Sequence, residues 1–188
     1  MGVPLGFTIA SFQFPGKKLL ITLFNTLMAL PTVLVGLFVF SLISRQGPLG
    51  FLGLLFSPAA MIIGQFVLAT PIITALTIAA IQGLDRRIRP TALTLGANRL
   101  QTGITILVEA RFALMAAIIA GFGRVVGEVG SAIILGGNIK NYTRTITTAI
   151  ALETSKGEFA FAIALGIILI TVAFSVNIIF RYFQQKGS

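Results

Sequence analysis

Cysteine and histidine are both absent from this 188-residue chain. Without them there is no thiol chemistry, no imidazole general base and none of the common zinc ligand sets. Carboxylates are scarce too. Asp85, Glu109, Glu128, Glu153 and Glu158 are the five acidic side chains, a thin supply for an enzyme. Charged residues of both signs make up 10% of the chain, where a soluble domain carries about 25%. Too few remain to cover a soluble surface. No Gly-x-x-x-x-Gly-Lys-Ser/Thr phosphate loop occurs, so nothing in the chain reads as a nucleotide site. Met1–Ala10 lacks the charged start and full apolar core of a secretory leader. It reads as the end of a helix whose start is absent, the mark of a truncated chain or a late start codon.

Apolar side chains are plentiful, at 56% of residues, and the mean hydropathy is +0.99. A bilayer tolerates such an exterior, which predicts an all-α, polytopic helical membrane protein. Leu19–Ser44 is an almost unbroken apolar run. At 1.5 Å per residue it reaches roughly 39 Å, enough to cross a hydrocarbon core of about 30 Å. Pro31 predicts a kink within it. Leu49–Phe56 is apolar but too short to span, and reads as interfacial or re-entrant. Ala59–Ile81 is a second span, with another kink expected at Pro71. Phe112–Leu135 is a third and Phe159–Phe180 a fourth. With the remnant at Met1–Ala10, residues 1–188 read as one transmembrane domain of four complete crossings. There is no internal repeat and no soluble domain.

Basic residues outnumber acidic ones by 14 to 5, a net charge of +9. On a soluble protein that excess would suggest nucleic acid. Here it orients the spans, because Lys and Arg concentrate in cytoplasmic loops. Placing Gln82–Glu109 inside puts Lys17, Lys18, Arg86, Arg87, Arg89, Arg99, Arg111, Arg181 and Lys186 at the inner side. Arg45, Lys140, Arg144 and Lys156 fall outside, and Arg124 lies within the membrane. Nine against four favours this orientation in a cell membrane. Lipid is then an expected partner and nucleic acid is not.

The inner segment 82–109 carries Leu93, Ala97, Leu100 and Ile104 at helical spacing, which predicts one or two short amphipathic helices. It reads Pro90-Thr91-Ala92-Leu93-Thr94-Leu95-Gly96-Ala97, then Ile106-Leu107-Val108-Glu109. This resembles the EAA loop of ABC-importer permeases. That pattern is Glu-Ala-Ala, three residues, Gly, nine residues, Ile, one residue, Leu, Pro. Ala92, Gly96 and Ile106 match in register, and Val108 is a conservative fit. Pro90, Thr91 and Glu109 depart from it. The resemblance implies a coupling helix around Ala92, Leu93, Gly96 and Ala97 that docks on a cytoplasmic ATP-binding subunit. The residues by themselves also fit a loop resting on lipid headgroups.

The third span contains Gly121-Phe122-Gly123-Arg124-Val125-Val126-Gly127-Glu128-Val129-Gly130. Small residues permit close helix contact in lipid. Arg124 and Glu128, four residues apart, are expected to meet on one helix face. A charge at bilayer depth costs roughly 2.5–3.5 kcal/mol on insertion scales, and pairing within the bundle reduces this. The pair reads as a gate or lining of a translocation path, or as an ion pair locking helices together.

The likeness continues downstream. Gly123-Arg124, Glu128-Val129-Gly130, Gly136-Gly137-Asn138-Ile139, Thr143-Arg144, Thr147-Thr148-Ala149-Ile150 and Ala151 to Phe159 look like the permease subunits of tungstate importers. Molybdate and sulfate permeases carry a similar Gly-Glu-x-Gly stretch. The resemblance implies a type I ABC-importer permease fold with one further N-terminal span. It implies a homodimer, an ATPase that binds ATP and Mg in place of this chain, and an extracytoplasmic oxyanion-binding protein. The outer segment with Asn138, Lys140 and Arg144 would be a docking surface for that binding protein, or a plain connector. Lys140 and Arg144 have the charge and donors for a tetrahedral oxyanion. The competing reading is a secondary transporter or channel working without an ATPase, using Arg124 and Glu128 as its coupling site.

Overall fold

A computed structural model describes residues 1–186, without the side chains of Arg181 and residues 183–186. The expected inner placement of the Arg181 and Lys186 side chains therefore lies outside the described residues. Ten α-helices and one 3₁₀ turn follow one another, with no strand among the described residues. They are α1 (Gly2–Ser11), α2 (Lys17–Met28), α3 (Thr32–Ile43), a turn at Gly50–Leu52, α4 (Pro58–Gln82), α5 (Ile88–Thr94), α6 (Arg99–Glu109), α7 (Arg111–Val126), α8 (Gly130–Gly136), α9 (Ile146–Ser155) and α10 (Phe159–Lys186).

The second and fourth expected spans appear as single helices, α4 and α10, each long and apolar enough to cross a membrane. Ser57 starts α4 by accepting the Ala60 N–H, with Pro58 in the first turn, where its missing donor costs nothing. Pro71 lies inside α4 without ending it. The first expected span differs from its sequence reading. Leu19–Ser44 is not one kinked helix, because α2 and α3 meet at 103°. Pro31 disfavours helical geometry at Leu30 and has no N–H to donate. The first helix stops at Met28, and Pro31 becomes the residue from which α3 starts.

The third span also differs. Helix ends at Val126 and resumes only at Gly130. The weak helix formers Gly127 and Gly130 flank the break. By length and composition α4 and α10 cross alone, and α2–α3 and α6–α7 qualify only as bent pairs. Four crossings therefore hold only if each bent pair counts as one.

α4 is the centre of the bundle, and small residues set how closely its neighbours approach. Lipid supplies no hydrophobic drive between helices, so association relies on close packing. A Cβ at Gly2 would lie 2.6 Å from that of Ile73, and one at Gly6 would lie 2.5 Å from that of Thr77. Thr74 Oγ1 donates to the Gly2 carbonyl at 3.3 Å. The segment read as a helix remnant is thus a helix seated along α4. Towards the other end, Val35, Val39 and Ile43 of α3 form a core with Ala60 and Leu68 of α4 and Leu135 of α8. Leu135 fits only because Gly64 has no side chain.

These contacts fix relative depth. Gly121 of α7 faces Ile73, and Leu135 and Gly136 of α8 face Gly64 and Met61. So α7 and α8 together run antiparallel to α4, and the break falls opposite its middle. Most of α10 stays uncovered, with 6% of its most apolar stretch buried within the chain.

Candidate functional site

Two half-helices end on each other at the 127–129 break, and their terminal charges suit them. Arg124 sits in the last turn of α7, where carbonyls gather negative charge, and Glu128 precedes the first turn of α8, where N–H groups gather positive charge. Glu128 Oε1 accepts the Ser131 N–H at 2.9 Å. Its Oε2 lies 3.4 Å from Arg124 Nη1. The expected pair therefore exists, across the end of a helix and not along one face. It is also unequal: the Glu128 side chain is 1% exposed and that of Arg124 40%. Glu128 is a fixed part of the framework. Arg124 is anchored by it and keeps donors free.

A threonine cluster that sequence reasoning missed holds the other side of the break. Thr147 Oγ1 donates to the Glu128 carbonyl at 2.7 Å and lies 2.9 Å from Thr145 Oγ1. Thr145 caps α9: its side chain accepts the Thr148 N–H while Thr148 Oγ1 accepts that of Thr145. Ser131, Thr143, Thr147 and Thr148 are all buried. The available signal was the run Thr143-Arg144-Thr145-Ile146-Thr147-Thr148, dense in hydroxyls that need partners when buried. The segment read as a polar outer loop thus turns inward to meet the break.

The outer candidates separate. Arg144 donates from Nε to Asn138 Oδ1 and from Nη2 to the Asn138 carbonyl, both at 3.2 Å. Asn138 Nδ2 donates to the Thr148 carbonyl at 3.3 Å. Asn138 itself stands at φ +48°. These two residues pin the loop. Lys140 is exposed and takes no part in that network.

At the inner end, Ala92 and Leu93 belong to α5 and Ile106 to α6. Gly96 stops α5. Its φ is +84°, its N–H donates to the Leu93 carbonyl at 3.1 Å, and the Ala97 N–H donates to the Ala92 carbonyl at 3.0 Å. This paired closure needs a left-handed residue at that point, which favours glycine. Asn98 then starts α6 through a reciprocal bond pair with Gln101. The result is a short elbow carrying exposed Leu93, Leu95 and Leu100. Ala92 and Ala97 line a hollow of about 420 Å³ between α5 and α6. Ile106 does not join them; it lies in the wall of a separate cavity beside Lys17. Among the described residues no three carboxylates gather where they could hold a metal.

Known proteins place this architecture. The family described as "Binding-protein-dependent transport system inner membrane component" matches residues 2–187. The tungstate uptake system permease protein TupB of Campylobacter jejuni is 46% identical over 168 residues, covering 89% of this chain and 70% of that protein. TupB of Peptoclostridium acidaminophilum is 39% identical, covering 99% of this chain and 82% of its own length. A probable anion ABC transporter permease of Haloferax volcanii is 37% identical, covering 99% and 82%. The chain therefore belongs to the inner membrane components of binding-protein-dependent transport systems: it is an ABC-importer permease, which works with an ATPase and a binding protein and does no bond chemistry itself.

Proposed function

We propose that two copies of this chain form the translocation path of an oxyanion importer whose substrate is tungstate. The observation that carries the substrate is the 46% and 39% identity to two permeases named for tungstate uptake. Relatives named for molybdenum and sulfate transport lie lower, at 29% and 26%. The geometry is compatible with an anion path: Arg124 carries its charge at the depth of the α7–α8 break, half-exposed and held by a buried carboxylate. The largely uncovered surface of α10 supports a second copy as its neighbour. Arg124 and Glu128 would line or gate the path, and Lys140 would contact the binding protein at the outer side.

In this reading the elbow 92–97 is the coupling element. Leu95, 82% exposed, with Leu93 and Leu100 beside it, offers an apolar knob that a groove on the ATPase would bury. ATP and Mg then belong to that partner.

The test is ATPase activity of the assembled complex in proteoliposomes, with the binding protein supplied and tungstate, molybdate or sulfate added in turn. Tungstate should stimulate at the lowest concentration, and two copies of this chain should be present per complex. Equal stimulation by sulfate would remove the substrate assignment. Uptake by this chain without any ATPase would remove the coupling role.

A further inference from the structure

The inner end of the bundle holds a cavity of about 990 Å³ between α1, α2, α4 and the start of α5. Four cations line it, Lys17, Lys18, Arg86 and Arg89, against the single carboxylate of Asp85. Two of them fasten the end of α1. Lys17 Nζ donates to the carbonyls of Ala10 and Phe12 at 2.7 and 3.0 Å, and Arg89 Nη1 donates to that of Ser11 at 3.1 Å. Lys17 keeps one donor and Arg89 four. Lys18 and Arg86 make no ion pair among the described residues. Asp85, whose Oδ1 accepts the Arg87 N–H at 2.9 Å in a local turn, offsets only one of the four charges. Four like charges sharing one cavity repel one another, and an anion between them would relieve that repulsion.

The remaining wall mixes apolar side chains, Phe14, Ile21 and Ile81 among them, with the polar Ser11, Gln13 and Gln82. The excess of basic residues at this end places it at the cytoplasmic leaflet. We infer that the cavity binds the headgroup phosphate of an anionic phospholipid, with the glycerol against Phe14, Ile21 and Ile81. A free phosphate shares the anionic chemistry. It would fill only a small part of the volume and would leave Phe14, Ile21 and Ile81 uncovered. Basic pockets between helices on the cytoplasmic side suit such headgroups. Occupied, the site would tie α1, α2 and α4 together beside the elbow.

The test is native mass spectrometry of the full chain in detergent, titrated with phosphatidylglycerol and separately with phosphatidylcholine. Phosphatidylglycerol should bind and phosphatidylcholine should not. Replacing both unpaired cations, Lys18→Gln with Arg86→Gln, should weaken phosphatidylglycerol binding roughly 30-fold, at about fivefold for each basic residue near an anionic surface. The charge-preserving pair Lys18→Arg with Arg86→Lys should retain binding, which separates lost charge from lost folding. Arg45→Gln, exposed at the opposite end, should leave phosphatidylglycerol binding unchanged. Equal binding of phosphatidylcholine, or unchanged binding by the Gln pair, would overturn the site. Full displacement by millimolar inorganic phosphate would overturn the lipid assignment in favour of a free anion.

Discussion

Glu128 offers a test in which three substitutions separate three contributions. Glu128→Ala removes the acceptor of the Ser131 N–H, and Ser131 is 1% exposed. Leaving a buried donor unpaired costs about 1–3 kcal/mol. Glu128→Gln keeps an oxygen for that donor but loses the charge at the start of α8, worth about 0.3–1 kcal/mol and up to about 2 in a partly buried setting. Arg124→Gln removes the ion pair together with the positive charge in the last turn of α7. With the Arg124 side chain 40% exposed and the contact at 3.4 Å, screening holds this below about 1 kcal/mol.

The expected order of destabilisation is Glu128→Ala at about 2–4 kcal/mol, Glu128→Gln at about 1–2, and Arg124→Gln smallest. Unfolding in detergent micelles, followed by helical circular dichroism, reads the order. Should Arg124→Gln cost as much as Glu128→Ala, the ion pair and not the helix start would be holding the break, and the reasoning would fail. Uptake per assembled complex adds the functional half. A deficit for Glu128→Gln larger than its assembly defect is expected of a gating role, and normal uptake per complex would make the carboxylate purely structural.

Two further substitutions probe the ends of the bundle. Gly96→Val forces a β-branched residue into φ +84°, although nothing lies within 4 Å of the new Cβ; the cost is conformational, about 1–2 kcal/mol, and confined to the elbow. The spans should remain folded while co-purification with the ATPase and uptake fall, and preserved coupling would disprove the elbow's role. Gly6→Val places a Cβ 2.5 Å from Thr77 Cβ and 2.8 Å from the Thr74 carbonyl. It should lift α1 from α4 at about 1–3 kcal/mol, seen as faster hydrogen exchange across α1; unchanged protection would show that this approach does not seat the helix.

How legible each element was followed from the range of the forces that make it. α4 and α10 were readable because twenty apolar residues in sequence suffice to define a span. The elbow was half readable. Its residues were in register, but only the geometry showed Gly96 closing α5 through two bonds and Ile106 facing a different cavity. The α2–α3 fold was read too mildly, because a proline inside an apolar run announces a disturbance without its angle. At the third span the sequence presented one apolar stretch with two charges. It contained no sign that Thr147, nineteen residues on, would bond the Glu128 carbonyl.

By itself, the sequence determined the solvent this protein lives in, the two segments that cross it as single helices and the side its basic residues favour. Those properties are sums over local composition, and the bilayer reads them without reference to contacts. The tertiary structure decided which charges are framework and which keep donors free. It turned the Thr143–Thr148 run inward, used Arg144 and Asn138 to pin a loop, and gathered Lys17, Lys18, Arg86 and Arg89 from two separate stretches into one cavity. Hydrogen bonds and charge repulsion act over a few ångströms in space. Residues far apart in the chain come within that range only when the helices pack.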